Sequence, residues 1–207
     1  MIPNVSHELR CIFVHIPKTG GTAIEHACGF YNVNSMRGQQ DHRAILEFQR
    51  TLPAKIFSSY YKFAFVRNPW ARAYSWYRNV MRDAAHRVWL AVDSSEMTFR
   101  TFLLRYLGYE SLAPQLKWIT NQDGEILVDF VGRYERLEAD FAHVRDALGL
   151  ADRPLSRLVI GDGSNYLDQF TPELVDLVAE FYAEEVELFG YRFGNGVVGT
   201  SEQGPHQ

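Results

Sequence analysis

One short run of the sequence combines a positive charge with a backbone that can approach an anion closely. Lys18 and Thr19 precede the glycines Gly20 and Gly21, and Thr22 follows them. Glycines allow close backbone approach, threonine hydroxyls can donate hydrogen bonds, and the lysine adds charge. Such a loop, between a strand and the N-terminus of a helix, suits phosphate or sulfate. The sequence therefore predicts an anion site, with Lys18 placed to stabilise charge on a leaving group.

The order of residues in this run argues against a nucleoside triphosphatase. In the Walker loop the lysine follows the last glycine and precedes a serine or threonine. Here Lys18 comes before both glycines. From the glycine pair alone, an ordinary tight turn with an exposed lysine stays open as the alternative.

A second set of residues could bind another phosphate. Arg67 stands at the carboxyl end of the apolar run 61–66, and Ser75 lies about two helical turns further on. Ligands of open parallel sheets bind outside the carboxyl ends of the strands, so Arg67 and the Lys18 loop should share one rim. The planar fork of an arginine and a serine hydroxyl together suit a phosphate.

Three strand-to-helix cycles would position these residues. The apolar runs 10–16, 61–66 and 125–135 have strand character, and segments with helical spacing follow each of them. Pro69 fits the first turn of the second helix. Strands that alternate with helices predict a mostly parallel sheet covered on both faces, which is an α/β sandwich of three layers.

Length and composition predict one domain. The chain has 207 residues, of which 46% are apolar, and its formal charge is −4. We expect a single domain over 1–193, closed by a packing helix that starts after Thr171, with a loose tail over 194–207. The segment 81–114 is predicted to be a helical insertion or a substrate lid.

Charge and hydropathy also bear on partners. The net charge gives no global attraction to nucleic acid or to an anionic membrane. The first residues lack the basic start and apolar run of a signal peptide, and no stretch is long and apolar enough to span a bilayer. These features predict a soluble, cytoplasmic protein that has no nucleic-acid partner.

The two motifs together resemble those of the sulfotransferase family that uses 3'-phosphoadenosine 5'-phosphosulfate (PAPS). The resemblance is to the branch that includes Golgi carbohydrate sulfotransferases and soluble bacterial relatives. The run HIPKTGGTA is similar to the family's 5'-phosphosulfate loop, and FVRNPWARAYSWY is similar to its 3'-phosphate motif. The resemblance covers most of the chain and implies a P-loop-like fold. Relatives often have serine at Ala23 and an acid at Ala71.

The resemblance implies a role for each matching residue. Lys18, Thr19, Gly20, Gly21 and Thr22 would hold the 5'-phosphosulfate. The remaining contacts to the nucleotide would come from Arg67 and Ser75 at the 3'-phosphate, and from Ser164 in the later run GDGSNY.

The implied reaction is in-line sulfuryl transfer to a hydroxyl, with 3',5'-ADP as the product and no metal. It needs a base to accept the hydroxyl proton. His42, in the run QQDHRAILEF, is our candidate, since an imidazole is mostly neutral at cytoplasmic pH. His15 competes, although a side chain at a strand end more often orients the loop. Glu25 and Glu47 are weaker candidates, because acids on helices usually face solvent.

The acceptor is expected to be a carbohydrate or glycoconjugate. A nucleotide or small-molecule kinase of related architecture, and a module that binds nucleotide without chemistry, stay open as alternatives. Arginines and aromatic residues of the middle segment could line an acceptor cleft or could simply extend into solvent. They are Arg78, Arg82, Arg87, Arg100 and Arg105, with Trp76, Trp89 and Tyr106.

Overall fold

A four-stranded sheet carries both predicted motifs. The computed structural model describes residues 2–30, 41–150, 155 and 165–197. In spatial order the strands are β1 (Val5–Ser6), β2 (Cys11–Val14), β3 (Tyr61–Val66) and β4 (Phe130–Arg133). β2, β3 and β4 run parallel, whereas β1 pairs antiparallel with β2. The predicted mostly parallel sheet is therefore confirmed.

The central strands are continuous apolar runs because both of their faces are buried. All four residues of β2 are buried, as are five of the six in β3. Phe13 of β2 pairs with Phe63 of β3, and these side chains contribute to the core on one face. The neighbouring Val14 and Ala64 contribute to the core on the other face. Successive strand residues point to opposite sides of a sheet, so each strand serves both cores.

Helices cover both faces and complete the predicted three-layer α/β sandwich. The Phe13 face packs against α1 (Gly21–Ala27) and α8 (Leu137–Leu148). The larger core on the Val14 face takes side chains from α2 (Ile45–Thr51), α4 (Pro69–Arg82), α6 (Phe99–Tyr106), α9 (Pro172–Phe181) and α10 (Ala183–Phe189). The remaining elements are α3 (Ala54–Ser59), α5 (Ala84–Trp89), α7 (Leu116–Ile119), β5 (Tyr191–Arg192) and β6 (Asn195–Val197).

The helix that carries the second motif starts where the sequence predicts. Pro69 occupies its first turn, and the side chain of Asn68 accepts hydrogen bonds from the backbone N–H groups of Trp70 and Ala71. This cap satisfies two N–H groups that an α-helix leaves unpaired. The cap therefore comes from Asn68, and the helix start does not depend on an acid at position 71.

The closing helix differs from the prediction, because it breaks into two. Thr171 caps α9 as expected, but the helical turn ends at Tyr182 and α10 begins again at Ala183. Helical spacing of the buried positions nevertheless continues across the break, and Phe181 lies off this face, 43% exposed. The residues of the buried face are Leu174, Val178, Tyr182, Glu185 and Phe189.

The third predicted strand is also shorter than expected. Of the run 125–135, only Phe130–Arg133 joins the sheet, and Ile126 instead pairs with Thr120 in an isolated antiparallel bridge. The segment 81–114 contains α5, α6 and a short 3-10 turn at Glu110–Leu112. No helix in the described ranges has the length and apolar character needed to cross a bilayer.

Candidate active site

The loop after β2 has an unusual backbone. Lys18 and Gly20 both have positive φ, at 69° and 85°, with Thr19 between them. Left-handed residues that alternate with ordinary ones turn successive N–H groups toward one point, an arrangement that binds anions. For a lysine this conformation costs on the order of 1 kcal/mol. The Thr19 hydroxyl donates to the carbonyl of Ile16 at 2.8 Å, so it braces the loop from within.

Gly21 is required because the loop rests on a histidine ring. A Cβ added at Gly21 would lie 2.1 Å from the imidazole of His15. That imidazole is buried, and its Nδ1 lies 2.8 Å from Oε1 of Glu25, which is also buried. The expectation that Glu25 faces solvent is therefore wrong, because the His15 ring gives its carboxylate a polar partner inside the fold. His15 and Glu25 together form the support under the start of α1.

The Lys18 ammonium lies in a positively charged, partly buried environment. Its Nζ donates to Oδ1 of Asn79 on α4 at 3.1 Å. Burial, and then the positive charges of Arg67 and Arg82, lower the pKa of Lys18 from 10.5 to about 8. A cation whose neighbours are also cations is stabilised by any anion that binds among them.

Arg67 lies against the Lys18 loop, on the shared rim that the sequence predicts. Its Nη1 donates to the carbonyl of Lys18 at 3.2 Å, and its guanidinium lies 4.0 Å from the ring centroid of Tyr134. Burial lowers the pKa of Arg67. Its Nε is also buried, and within the described ranges it has no hydrogen-bond partner. A buried, unpartnered arginine donor fits an anionic ligand.

Two other residues that were predicted to contact the ligand are partly accessible to solvent. Ser75 is half-buried on α4, two turns after its start. Thr22, in the first turn of α1, is also half-buried. Ser164 lies outside the described residues.

The candidate base His42 lies directly beside His15. Their ring centroids are 4.4 Å apart, and Nδ1 of His42 donates to the backbone carbonyl of His15 at 2.9 Å. Because a carbonyl can only accept, this bond places the proton of the neutral ring on Nδ1 and leaves Nε2 as the acceptor. Burial is the main cause that lowers the pKa of His42, to about 3; the electrostatic effect of His15 comes next, and the charges of Lys18 and Arg72 add to it.

Glu47, the other carboxylate considered, caps a helix. It is exposed in the first turn of α2, and its Oε1 accepts from the backbone N–H of Ala44 at 3.3 Å. This local bond accounts for its position at the helix start.

A buried arginine that was not among the predicted site residues connects the parts of the site. Arg72 is 1% exposed, and its guanidinium donates to the carbonyls of Pro17, Ser111 and Ala113 at 2.7–3.1 Å. It therefore joins the residue before Lys18 to the turn that precedes α7. The available signal was its context in the sequence, because Arg72 stands among the apolar residues Trp70, Ala71, Ala73 and Tyr74.

Gln115 and Glu185 form a second brace, which was also missed. The side chain of Gln115 accepts from the backbone N–H of Arg67 and donates to its carbonyl, at 2.8 and 2.9 Å. Glu185 on α10 accepts from both the backbone and the side chain of Gln115. Glu185 follows Tyr182 and precedes Phe189 at helical spacing, so its place on a buried face could have been found.

The arginines and aromatic residues of the middle segment do not form one cleft. Trp76 and Tyr106 are buried in the core, and the Tyr106 hydroxyl donates to the carbonyl of Leu90. Arg100 pairs with Glu173 at the surface. Of these five arginines, Arg82 alone lowers the pKa of Lys18 through its positive charge.

Similarity to known proteins bears on what this site does. The sequence profile of the sulfotransferase family matches residues 4–192. An uncharacterized protein of Archaeoglobus fulgidus is 31% identical over 112 residues, which are 54% of this chain and 87% of that protein. Carbohydrate sulfotransferase 14 of Danio rerio is 28% identical over 174 residues, or 70% of this chain and 47% of that protein. The Mus musculus protein of the same name is 31% identical over 164 residues, with coverages of 66% and 43%.

The chain spans less than half the length of these two carbohydrate sulfotransferases, at 47% and 43%. No solved structure matches it significantly.

Proposed function

The chain belongs to the sulfotransferase family, and we propose that it moves a sulfuryl group from PAPS to a hydroxyl of a carbohydrate or glycoconjugate. The observation that carries this proposal is the contact between the Lys18 loop and Arg67. The Arg67 guanidinium donates to the backbone carbonyl of Lys18 at 3.2 Å, its charge acts on the Lys18 ammonium, and its buried Nε has no partner among the described residues. Such a rim fits a ligand with phosphate at both ends.

The proposed donor site follows the two motifs. The backbone of Lys18, Thr19, Gly20, Gly21 and Thr22 would hold the 5'-phosphosulfate. Further contacts would come from Arg67 and Ser75 at the 3'-phosphate, with Ser164 added by resemblance alone. PAPS supplies an activated sulfuryl group and a bisphosphate leaving group.

Two side chains of the protein would act on the reacting groups. Lys18 would donate to the bridging oxygen, where negative charge develops as the bond to sulfur breaks. His42 would accept the proton of the attacking hydroxyl at Nε2 and keep its bond to His15 through Nδ1. The Nδ1 bond fixes the ring, so His42 would not reorient between proton acceptance and release.

The low pKa of His42 is consistent with this role once charge is considered. A pKa of about 3 keeps the free imidazole neutral at any working pH, but it also makes it a weak base. Burial and nearby positive charge cause the low value, and an anion at the rim would offset the second of these. Binding of the donor would therefore raise the pKa of His42 toward its usual range.

The acceptor class is proposed from the relatives that match. Two of them are named carbohydrate sulfotransferases. A hydroxyl-rich acceptor would also suit this site, because neutral His42 would accept the hydroxyl proton while Lys18 stabilises the leaving group of the donor nucleotide.

Titration calorimetry without magnesium tests the donor site. We expect 3',5'-ADP to bind much more tightly than 5'-AMP, because only the former reaches both motifs, and more tightly than ATP. Arg67→Ala should weaken 3',5'-ADP far more than 5'-AMP, and the matched control Arg100→Ala, at an exposed ion pair, should change neither. Preference for ATP, or equal losses for both ligands in Arg67→Ala, would contradict the proposal.

Turnover is then measured with labelled PAPS and a panel of saccharides. Appearance of label in a saccharide supports the acceptor class. Binding of 3',5'-ADP without sulfation of any saccharide would reject a carbohydrate acceptor and leave the donor site standing.

A further inference from the structure

Buried polar atoms without partners point to one more functional residue. In the described ranges four side-chain atoms are buried without a hydrogen bond: Asp41 Oδ2, Tyr61 Oη, Arg67 Nε and Trp118 Nε1. An unmade hydrogen bond at a buried donor costs on the order of 1–3 kcal/mol, so each case needs an explanation.

Two of the four atoms have one. Arg67 Nε belongs to the donor site. Asp41 Oδ2 lies 3.2 Å from Nε of Arg43, and this ion pair compensates its charge. The Tyr61 hydroxyl has no such explanation, but Tyr61 begins β3 and lies at the opposite end of that strand from Arg67 and the site. The indole N–H of Trp118 is left without an account.

Trp118 lies next to the candidate base. Its ring centroid is 6.3 Å from that of His42, and the two planes meet edge to face at 74°. The side chain is only partly buried, so part of the indole surface is open to solvent although its N–H is not. A partly exposed ring with an unused donor is amphipathic, as are the faces of a sugar.

The position of Trp118 is fixed by the same brace that fixes Arg67. Trp118 belongs to α7, which begins directly after Gln115. Gln115 hydrogen-bonds both the N–H and the carbonyl of Arg67, and it is held in turn by Glu185. Gln115 therefore connects Arg67 of the donor site to the helix that carries Trp118.

We propose that Trp118 binds the acceptor sugar beside His42, with its indole N–H donating to a sugar oxygen and its ring packing on the sugar. This inference rests on the proposed function and names the residue that would select the acceptor. A site that must hydrogen-bond its substrate discriminates strongly against compounds that leave the buried group unpaired. Trp118 would thus favour pyranose acceptors over simple alcohols.

Trp118→Phe tests this directly, because it keeps an aromatic ring and removes only the N–H and the second ring. The matched control is Trp89→Phe, at a tryptophan that is 53% exposed on α5 and whose ring lies 6.1 Å from that of Tyr109, between centroids. Steady-state sulfation of the saccharide found in the panel is measured for all three proteins, with circular dichroism to confirm folding.

We expect Trp118→Phe to raise the KM for the saccharide by about tenfold or more, as for a lost hydrogen bond to substrate. The affinity for 3',5'-ADP should stay within about twofold, and Trp89→Phe should match the unmodified protein. Binding of the same saccharide to the 3',5'-ADP complex, measured by titration calorimetry, should weaken in parallel.

Two outcomes would overturn the inference, and they differ. An unchanged KM for the saccharide in Trp118→Phe, with normal 3',5'-ADP binding, would reject the role of Trp118 alone. If the unmodified protein neither binds nor sulfates any saccharide, the proposed acceptor class fails and the role of Trp118 fails with it.

Discussion

Lys18 is held in a state that is unfavourable while no anion is bound. Its φ is positive and its pKa is lowered from 10.5 to about 8 by burial and by neighbouring cations. A lowered pKa means that folding disfavours the ammonium form, so the penalty is present below pH 8 and fades as pH rises toward 10.5. A role in stabilising the leaving group would explain why a lysine occupies position 18 despite this penalty.

Lys18→Met should therefore abolish turnover and yet stabilise the fold. At pH 7 we expect a gain of roughly 1–2 kcal/mol in the free energy of unfolding, which is the pKa shift discounted for solvent screening. The gain should shrink between pH 8 and pH 10. Chemical denaturation at several pH values measures it, with the exposed Lys55→Met as control. A near-normal rate in Lys18→Met would remove its leaving-group role.

His42 offers a second test at the scale of one residue. In the free protein its pKa is about 3, and 3',5'-ADP should raise it by roughly a unit or more, since an anion offsets nearby positive charge. Nuclear magnetic resonance titration of the ring, assigned with His42→Asn, measures this shift. A pKa that does not move when 3',5'-ADP binds would place His42 away from the donor.

His42→Asn also separates proton transfer from structure. The asparagine amide can still donate to the His15 carbonyl, but it cannot accept a proton at neutral pH. We expect kcat to fall by about 10²–10⁴, the usual range for loss of a general base, with unchanged affinity for 3',5'-ADP. A normal kcat would leave His15 as the histidine to test next.

The sequence predicted those strands and helix starts that depend on the residues next to them in the chain. The three apolar runs became the parallel strands, and Pro69 and Thr171 mark helix starts because their preferences depend only on neighbours. The break at Tyr182 was not predicted. Tyr182 donates its hydroxyl to the carbonyl of Leu112, 70 residues away, and no local pattern contains that partner.

The same limit applies to the braces of the site. Arg72 and Gln115 act on carbonyls and N–H groups that become neighbours only after the sheet has formed. Their residue types show that these side chains are polar, but not which distant backbone groups they hydrogen-bond. The motif residues Lys18 and Arg67 could be placed on one rim from sequence, because the carboxyl ends of parallel strands meet at one edge.

Glu185 shows that the closing helices do more than pack. Both of its oxygens accept from Gln115, and burial raises its pKa. Glu185→Gln can satisfy only one of these donors, so we expect a loss of about 2 kcal/mol in the free energy of unfolding at pH 7. Denaturant unfolding measures the loss, with the exposed Glu187→Gln on the same helix as control. Equal stability of the two variants would show that this brace is dispensable.

The net charge of the whole molecule does not show where positive charge is concentrated. The chain carries a formal charge of −4, yet Lys18, Arg67 and Arg82 concentrate positive charge at one rim. The composition gave no reason to expect an anion site, which had to be found from motifs; that nucleic acid is no partner stays a prediction. The single-domain boundary at 193 and the role of 81–114 stay predictions.

A protein that holds cations together without an anion should be stabilised by the right anion. Saturating 3',5'-ADP, at about 100 times its dissociation constant, adds about 2.7 kcal/mol to stability, which raises Tm by roughly 5–10 °C in a chain of this size. Thermal unfolding should show this rise, a smaller one with inorganic sulfate, and almost none for 3',5'-ADP with Arg67→Ala. Because partly buried charges are screened weakly, most of the rise should persist at physiological salt. A rise that Arg67→Ala retains in full would mean that the nucleotide binds elsewhere on the molecule.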